Sequence, residues 1–204
     1  YAIRAWPLVL QQLPRARLLI VGDGADEKRL RSLIDELGLA DAVILAGFRS
    51  DLGAILTRAE LLVRASVNEG VNLTTIQAMA AGLPVVGFAN LAPKEIIVDG
   101  RNGLLVPLRN SQALASALIT LGVDAEMRSR LGAAARAAVG AYYNAQRIFG
   151  HYLALYEAII GGEPVTSVPD MLTHPWPFTV RQSAPSVYAY ELQQEAQYGR
   201  TPAH

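Results

Sequence analysis

The chain has 204 residues, 51% of them hydrophobic, which suffices for a sizeable core and for one domain with extensions. Basic and acidic residues balance at 18 each, so no cationic excess argues for nucleic acid or an anionic membrane surface as a partner. Cysteine is absent, which excludes disulfides and thiolate metal sites, and His151, His174 and His204 show no ligand spacing.

The first residues, Tyr1-Ala2-Ile3-Arg4-Ala5-Trp6, show no methionine and no signal-peptide pattern. They read like the middle of a helix, so a fragment is expected. Ile3, Trp6, Leu10 and Leu13 form one helical stripe, with a kink or a late start expected at Pro7 and an end at Pro14. Residues 17–21 make a short apolar strand closed by Gly22-Asp23-Gly24. Residues 26–37 are amphipathic, with Leu30, Leu33, Ile34 and Leu37 facing in, and Gly38 supplies a C-terminal cap. A strand over 42–46 ends at Gly47. A short helix over 52–58 and a strand over 61–65 follow. The central loop and helix span 67–81. Strands at 85–88 and 103–106 precede helices over 111–121, 125–138 and 145–160.

Short apolar strands alternating with helices predict an α/β fold: a doubly wound parallel sheet with helices on both faces. Ligands of such sheets sit at the carboxyl ends of the strands. The turns at 22–24, 47–49, 68–70 and 90–92 all fall there. Residues 1–160 form this Rossmann-like domain. Residues 161–204, with Pro164, Pro169, Pro175, Pro177 and Pro185, read as an extended tail with a short helix near 188–198. No apolar run reaches the roughly 18 residues of a membrane-spanning helix.

Gly22-Asp23-Gly24 follows a strand and opens a helix, but Glu27 stands where a dinucleotide fingerprint needs its third glycine. A tight turn is favoured over an NAD site. The segment from Glu69 to Leu83 is richer. Amides of residues 70 to 74 would lie at a helix N-terminus, where they and the helix dipole attract phosphate or sugar hydroxyls. Asn72 is a good N-cap, Gln77 lies one turn in, and Ala78, Ala80, Ala81 and Gly82 allow close packing. From these residues alone, a phosphate-facing loop and a capped core helix with an incidental glutamate are equally good readings.

The run Asn68-Glu69-Gly70-Val71-Asn72-Leu73-Thr74-Thr75-Ile76-Gln77-Ala78-Met79-Ala80-Ala81-Gly82-Leu83-Pro84-Val85-Val86 resembles the signature of family-4 (group 1) retaining glycosyltransferases of the GT-B fold. Leu18 to Gly24, Ala46-Gly47-Phe48, Pro93 to Pro107 and Tyr152 to Glu157 are similar to further family blocks in the same order. The resemblance covers about residues 1 to 160. It implies the C-terminal, donor-binding half of a two-domain enzyme, truncated so that its first strand is missing. Glu69 would contact the donor sugar and serve as the catalytic residue. Gly70, Val71, Asn72, Leu73 and Thr74 would lie against sugar and diphosphate, Gln77 against the ribose, and Gly47, Phe48 and Arg49 against the base. The family implies a UDP-, GDP- or ADP-sugar as substrate, metal-independent chemistry with no cofactor, an unknown acceptor, and an N-terminal acceptor domain outside this chain. It implies no nucleic acid partner. A cytoplasmic location is expected, with room for peripheral membrane contact through the absent domain.

Three departures stand out. Gln77 occupies a position where the family carries a glutamate, and a neutral acceptor binds hydroxyls less strongly than a carboxylate. Leu91-Ala92 replaces a glycine pair. The family's arginine and lysine that hold the diphosphate have no counterpart here, so the chain alone is expected to be inactive. The competing expectation is a non-catalytic nucleotide-binding or interaction module that kept the fold and lost the full site.

Overall fold

The alternation read from the sequence becomes an α/β structure in the computed structural model, which describes residues 1–67, 73–89 and 96–162. The order is α1 (Ala2–Gln12), β1 (Leu18–Ile20), α2 (Glu27–Glu36), β2 (Val43–Leu45), α3 (Leu52–Leu56), β3 (Leu62–Arg64), α4 (Leu73–Ala80), β4 (Val85–Phe88), β5 (Gly103–Val106), α5 (Ser111–Val123), α6 (Ala125–Tyr142) and α7 (Ala145–Ile160). The chain falls into two units, Tyr1–Ala145 and Gln146–His204. Nearly all that is described of the second is α7, where Tyr152 stacks on Tyr156 one turn later.

Every described strand pair is parallel. β1 pairs with β2, with Leu19 opposite Ile44, and β4 lies between β3 and β5, with Val86 opposite Val63 and Leu104. These are two sheets, not one. Both feed one core: Leu18 and Val43 join Val86, Phe88 and Val106, covered by Ile3, Trp6 and Val9 of α1, Ile34 of α2, and Leu114, Leu118 and Leu121 of α5. A smaller cluster of Leu56, Ala78 and Leu83, with Leu62 against it, forms under α3 and α4. Helices thus cover both faces, as a doubly wound plan requires.

Local chemistry explains the helix ends. Asn110 and Asp124 cap α5 and α6 by accepting from the Ala113 and Met127 amides. Gly38 and Gly82 take left-handed conformations at φ +64° and +81°. In each case the next residue's N–H reaches back five positions, Leu39 to the Ile34 carbonyl and Leu83 to the Ala78 carbonyl. Gly38 is therefore the cap expected of it.

Of the two outcomes expected at Pro7, the late start does not occur. The helix begins at Ala2 and continues through the proline. Proline lacks an N–H, and the Ile3 carbonyl loses that donor. Packing sustains the helix instead, because Ile3, Ala5, Trp6 and Val9 are all buried. Val9 takes the buried place expected of Leu10, which packs at the core's margin.

Candidate functional site

The carboxyl ends of β1 and β2 carry the turns at 22–24 and 47–49; those at 68–70 and 90–92 lie outside the described residues. Gly22 and Gly47 both have positive φ, +124° and +63°. The Gly22 amide donates to the Gly47 carbonyl at 2.8 Å, which ties the turn after β1 to the turn after β2. Residues 22–24 are thus part of a rim shared by two strand ends, in keeping with the tight-turn reading.

From that rim Phe48 projects into solvent, 75% exposed. Arg49 donates to Asp51 through two bonds, Nε to Oδ1 at 2.8 Å and Nη2 to Oδ2 at 2.7 Å. Those bonds from the guanidinium hold the Asp51 carboxyl below its usual range and raise Arg49 in turn. Both side chains are about half exposed, so the pair orders the turn more than it stabilises the fold. Phe48 offers a flat apolar face and Arg49 a fixed cation, a combination suited to an aromatic base.

The second group belongs to α4. Its buried side is Thr75, Ala78 and Met79. Leu73 and Gln77, four residues apart, are exposed on the other side, with Thr74 half-buried beside them. The helix begins at Leu73, so its positive end lies where the expected loop joins it. Of the residues assigned from the sequence, the structure places Gly47, Phe48, Arg49, Leu73, Thr74 and Gln77 at strand ends or at the start of α4 in the first unit. Glu69, Gly70, Val71 and Asn72 lie outside the described residues, as do Leu91 and Ala92.

Two side chains escaped the sequence reading. Arg64, at the end of β3, is 4% exposed. Asn102 is fully buried. Its amide donates to the Ile96 carbonyl at 3.1 Å and its oxygen accepts from the Val98 amide at 2.7 Å. Asp99 accepts from the Leu105 amide at 2.9 Å, so the turn into β5 is held from both sides. Among the described residues, no three His, Cys, Asp or Glu side chains cluster closely enough to hold a metal ion. No described helix is long and apolar enough to cross a membrane.

Known proteins resemble this arrangement. The UDP-N-acetylglucosamine–peptide N-acetylglucosaminyltransferase GtfA subunit of Streptococcus gordonii is 40% identical over 101 residues, 49% of this chain and 20% of that protein. The crystal structure of the pneumococcal O-GlcNAc transferase GtfA in complex with UDP and GlcNAc superposes with a TM-score of 0.68 at 25% identity, over 78% of this chain and 32% of that one. The C-terminal domain of a group 1 glycosyl transferase, LpcC from Francisella tularensis, superposes at 0.64 with 27% identity, over 70% of this chain and 77% of that domain. The chain spans between 14% and 42% of the length of such curated relatives. The family model for glycosyl transferases group 1 matches residues 1–124, more than half of the chain. With its Rossmann-like parallel sheets, the chain belongs to the group 1 glycosyl transferases.

Proposed function

We propose that this chain is the donor-binding half of a retaining glycosyltransferase, which moves a sugar from a UDP-, GDP- or ADP-sugar to an acceptor. The observation that carries this reading is the group 1 match over residues 1–124, a span containing every proposed donor contact. Phe48 and Arg49 line the base, and Gln77 faces the ribose. Gly70, Val71, Asn72, Leu73 and Thr74 lie along the sugar and diphosphate, and Glu69 stabilises the reacting end of the sugar. The leaving diphosphate is stabilised by oriented amides and cations, without a metal. The sugar acceptor binds to a domain outside this chain, and the reaction takes place in the cytoplasm.

The test is transfer and hydrolysis by the full-length protein with a panel of nucleotide sugars. Activity with one donor supports the reading; neither activity nor binding with any donor sinks it. Glu69→Gln should cut turnover on the order of a hundredfold or more with the fold intact, as loss of a key transition-state contact does elsewhere. An unchanged rate would remove Glu69 from the mechanism.

A second reading draws on Gln77, which is exposed on α4 and brings no charge to the ribose side. It holds that the chain is a non-catalytic module. Nucleotide binding without turnover by the full-length protein would favour it.

A further inference from the structure

Asp51 stands at the N-cap of α3, where an aspartate ordinarily accepts a helix amide. Its side chain makes no cap bond. Both carboxylate oxygens go to Arg49 instead, Oδ1 accepting from Nε at 2.8 Å and Oδ2 from Nη2 at 2.7 Å. The Asp51 backbone is anchored, because its carbonyl accepts from the Ala54 and Ile55 amides at the start of α3. On the other side of Arg49, the Gly47 carbonyl accepts from the Gly22 amide. The turn that carries Arg49 is therefore fixed at both ends.

An arginine offers five N–H donors in one plane. Asp51 takes the edge made by Nε and Nη2. The remaining edge, one N–H of Nη1 and one of Nη2, is a pair of parallel donors on a half-exposed side chain. Its charge is balanced by Asp51, so what it offers a ligand is direction. Nucleobases differ in how they meet such an edge. Guanine presents two acceptors, O6 and N7, and uracil presents O4. Adenine sets an amino donor beside its N7, so a donor would face a donor.

We propose that the Arg49–Asp51 pair selects a sugar donor whose base carries a ring carbonyl, uracil or guanine, over one carrying adenine. This rests on the donor-site reading, in which Arg49 lines the base. Arg49 contacts the base edge, and Asp51 is the positioning residue that holds the guanidinium in plane.

The experiment measures affinities of the full-length protein for UDP, GDP and ADP, then exchanges carbonyl for amino group within one ring. If UDP binds more tightly than GDP, the exchange is UDP against CDP. If GDP binds more tightly, it is inosine diphosphate against ADP. The carbonyl form should win by about tenfold. Arg49→Met should bring that ratio to about threefold or less, and Asp51→Ala, which keeps the arginine but frees it, should also lower it. A merely structural role for Asp51 would weaken both ligands equally and leave the ratio in place. ADP binding tightest of the three, a carbonyl form with no advantage, or a ratio unchanged in folded Arg49→Met overturns the proposal. If Arg49→Met does not fold, Asp51→Ala decides it, and an unchanged ratio there overturns it. A wild-type protein that binds none of these nucleotides overturns the donor-site reading itself.

Discussion

The two sheets of the first unit are built from short, mostly apolar strands but live in different surroundings. In the β3–β4–β5 sheet, β4 is buried at all four positions, Val85 to Phe88. In the β1–β2 sheet, the paired residues Leu19 and Ile44 are 42% and 48% exposed. Helices cover β4 on both sides, whereas the pair Leu19–Ile44 has one side to solvent. Similar sequences thus carry different energetic weight. Full burial of such a side chain is worth about 1.5–3 kcal/mol, and half-exposed ones supply only part of that. Stability should concentrate in the second sheet, leaving the Gly22–Gly47 rim on the softer one.

Substitutions can break this contrast. The largest effect should come from Phe88→Ala, which removes a fully buried ring that meets Tyr1 edge-on at 5.5 Å. A loss of about 3–5 kcal/mol is expected in chemical denaturation. Gly132→Ala tests packing against the same half. A Cβ at Gly132, in α6, would run into the Gly82 carbonyl oxygen. Overpacking of this kind costs about 1–3 kcal/mol, and an unchanged Tm would contradict the close approach of α6 to the end of α4. Asn102→Ala should cost about 1–3 kcal/mol, because the buried Ile96 carbonyl loses its donor and the half-buried Val98 amide its acceptor.

On the other sheet, Leu19→Ala should cost less than Phe88→Ala by at least about 2 kcal/mol. Equal losses would end the comparison. The smallest effect belongs to Arg49 and Asp51. Asp51 titrates below its usual range because Arg49 bonds to it. The contribution is therefore present above about pH 4 and lost as pH falls through the depressed folded value. Asp51→Asn should flatten that part of the stability–pH curve, and added salt should shrink the difference.

The sequence made visible what short-range chemistry decides. Gly38 could be read as a cap because only a residue without a side chain takes that conformation cheaply after an amphipathic run. The parallel plan followed from alternation of apolar strands and helices. Arg64 was hidden inside an ordinary strand run, Leu61 to Ala65, because its burial depends on α4 covering that face. Asn102 was missed because its partners, Ile96 and Val98, reach it only through the shape of the turn. The late start considered at Pro7 did not occur, because propensity is a weak prior once tertiary packing favours the helix. In the candidate site, the base-side turn and the exposed side of α4 can be followed in the fold. The loop with Glu69 stands on the resemblance of its motif.

The most direct test of the donor site is a titration of the isotopically labelled chain with UDP, GDP and ADP, followed by amide chemical shifts. The account predicts that one of the three perturbs Gly47, Phe48, Leu73, Thr74 and Gln77 together, with α6 unaffected. Saturable shifts elsewhere in the unit, with these five unmoved by any of the three nucleotides, would contradict it.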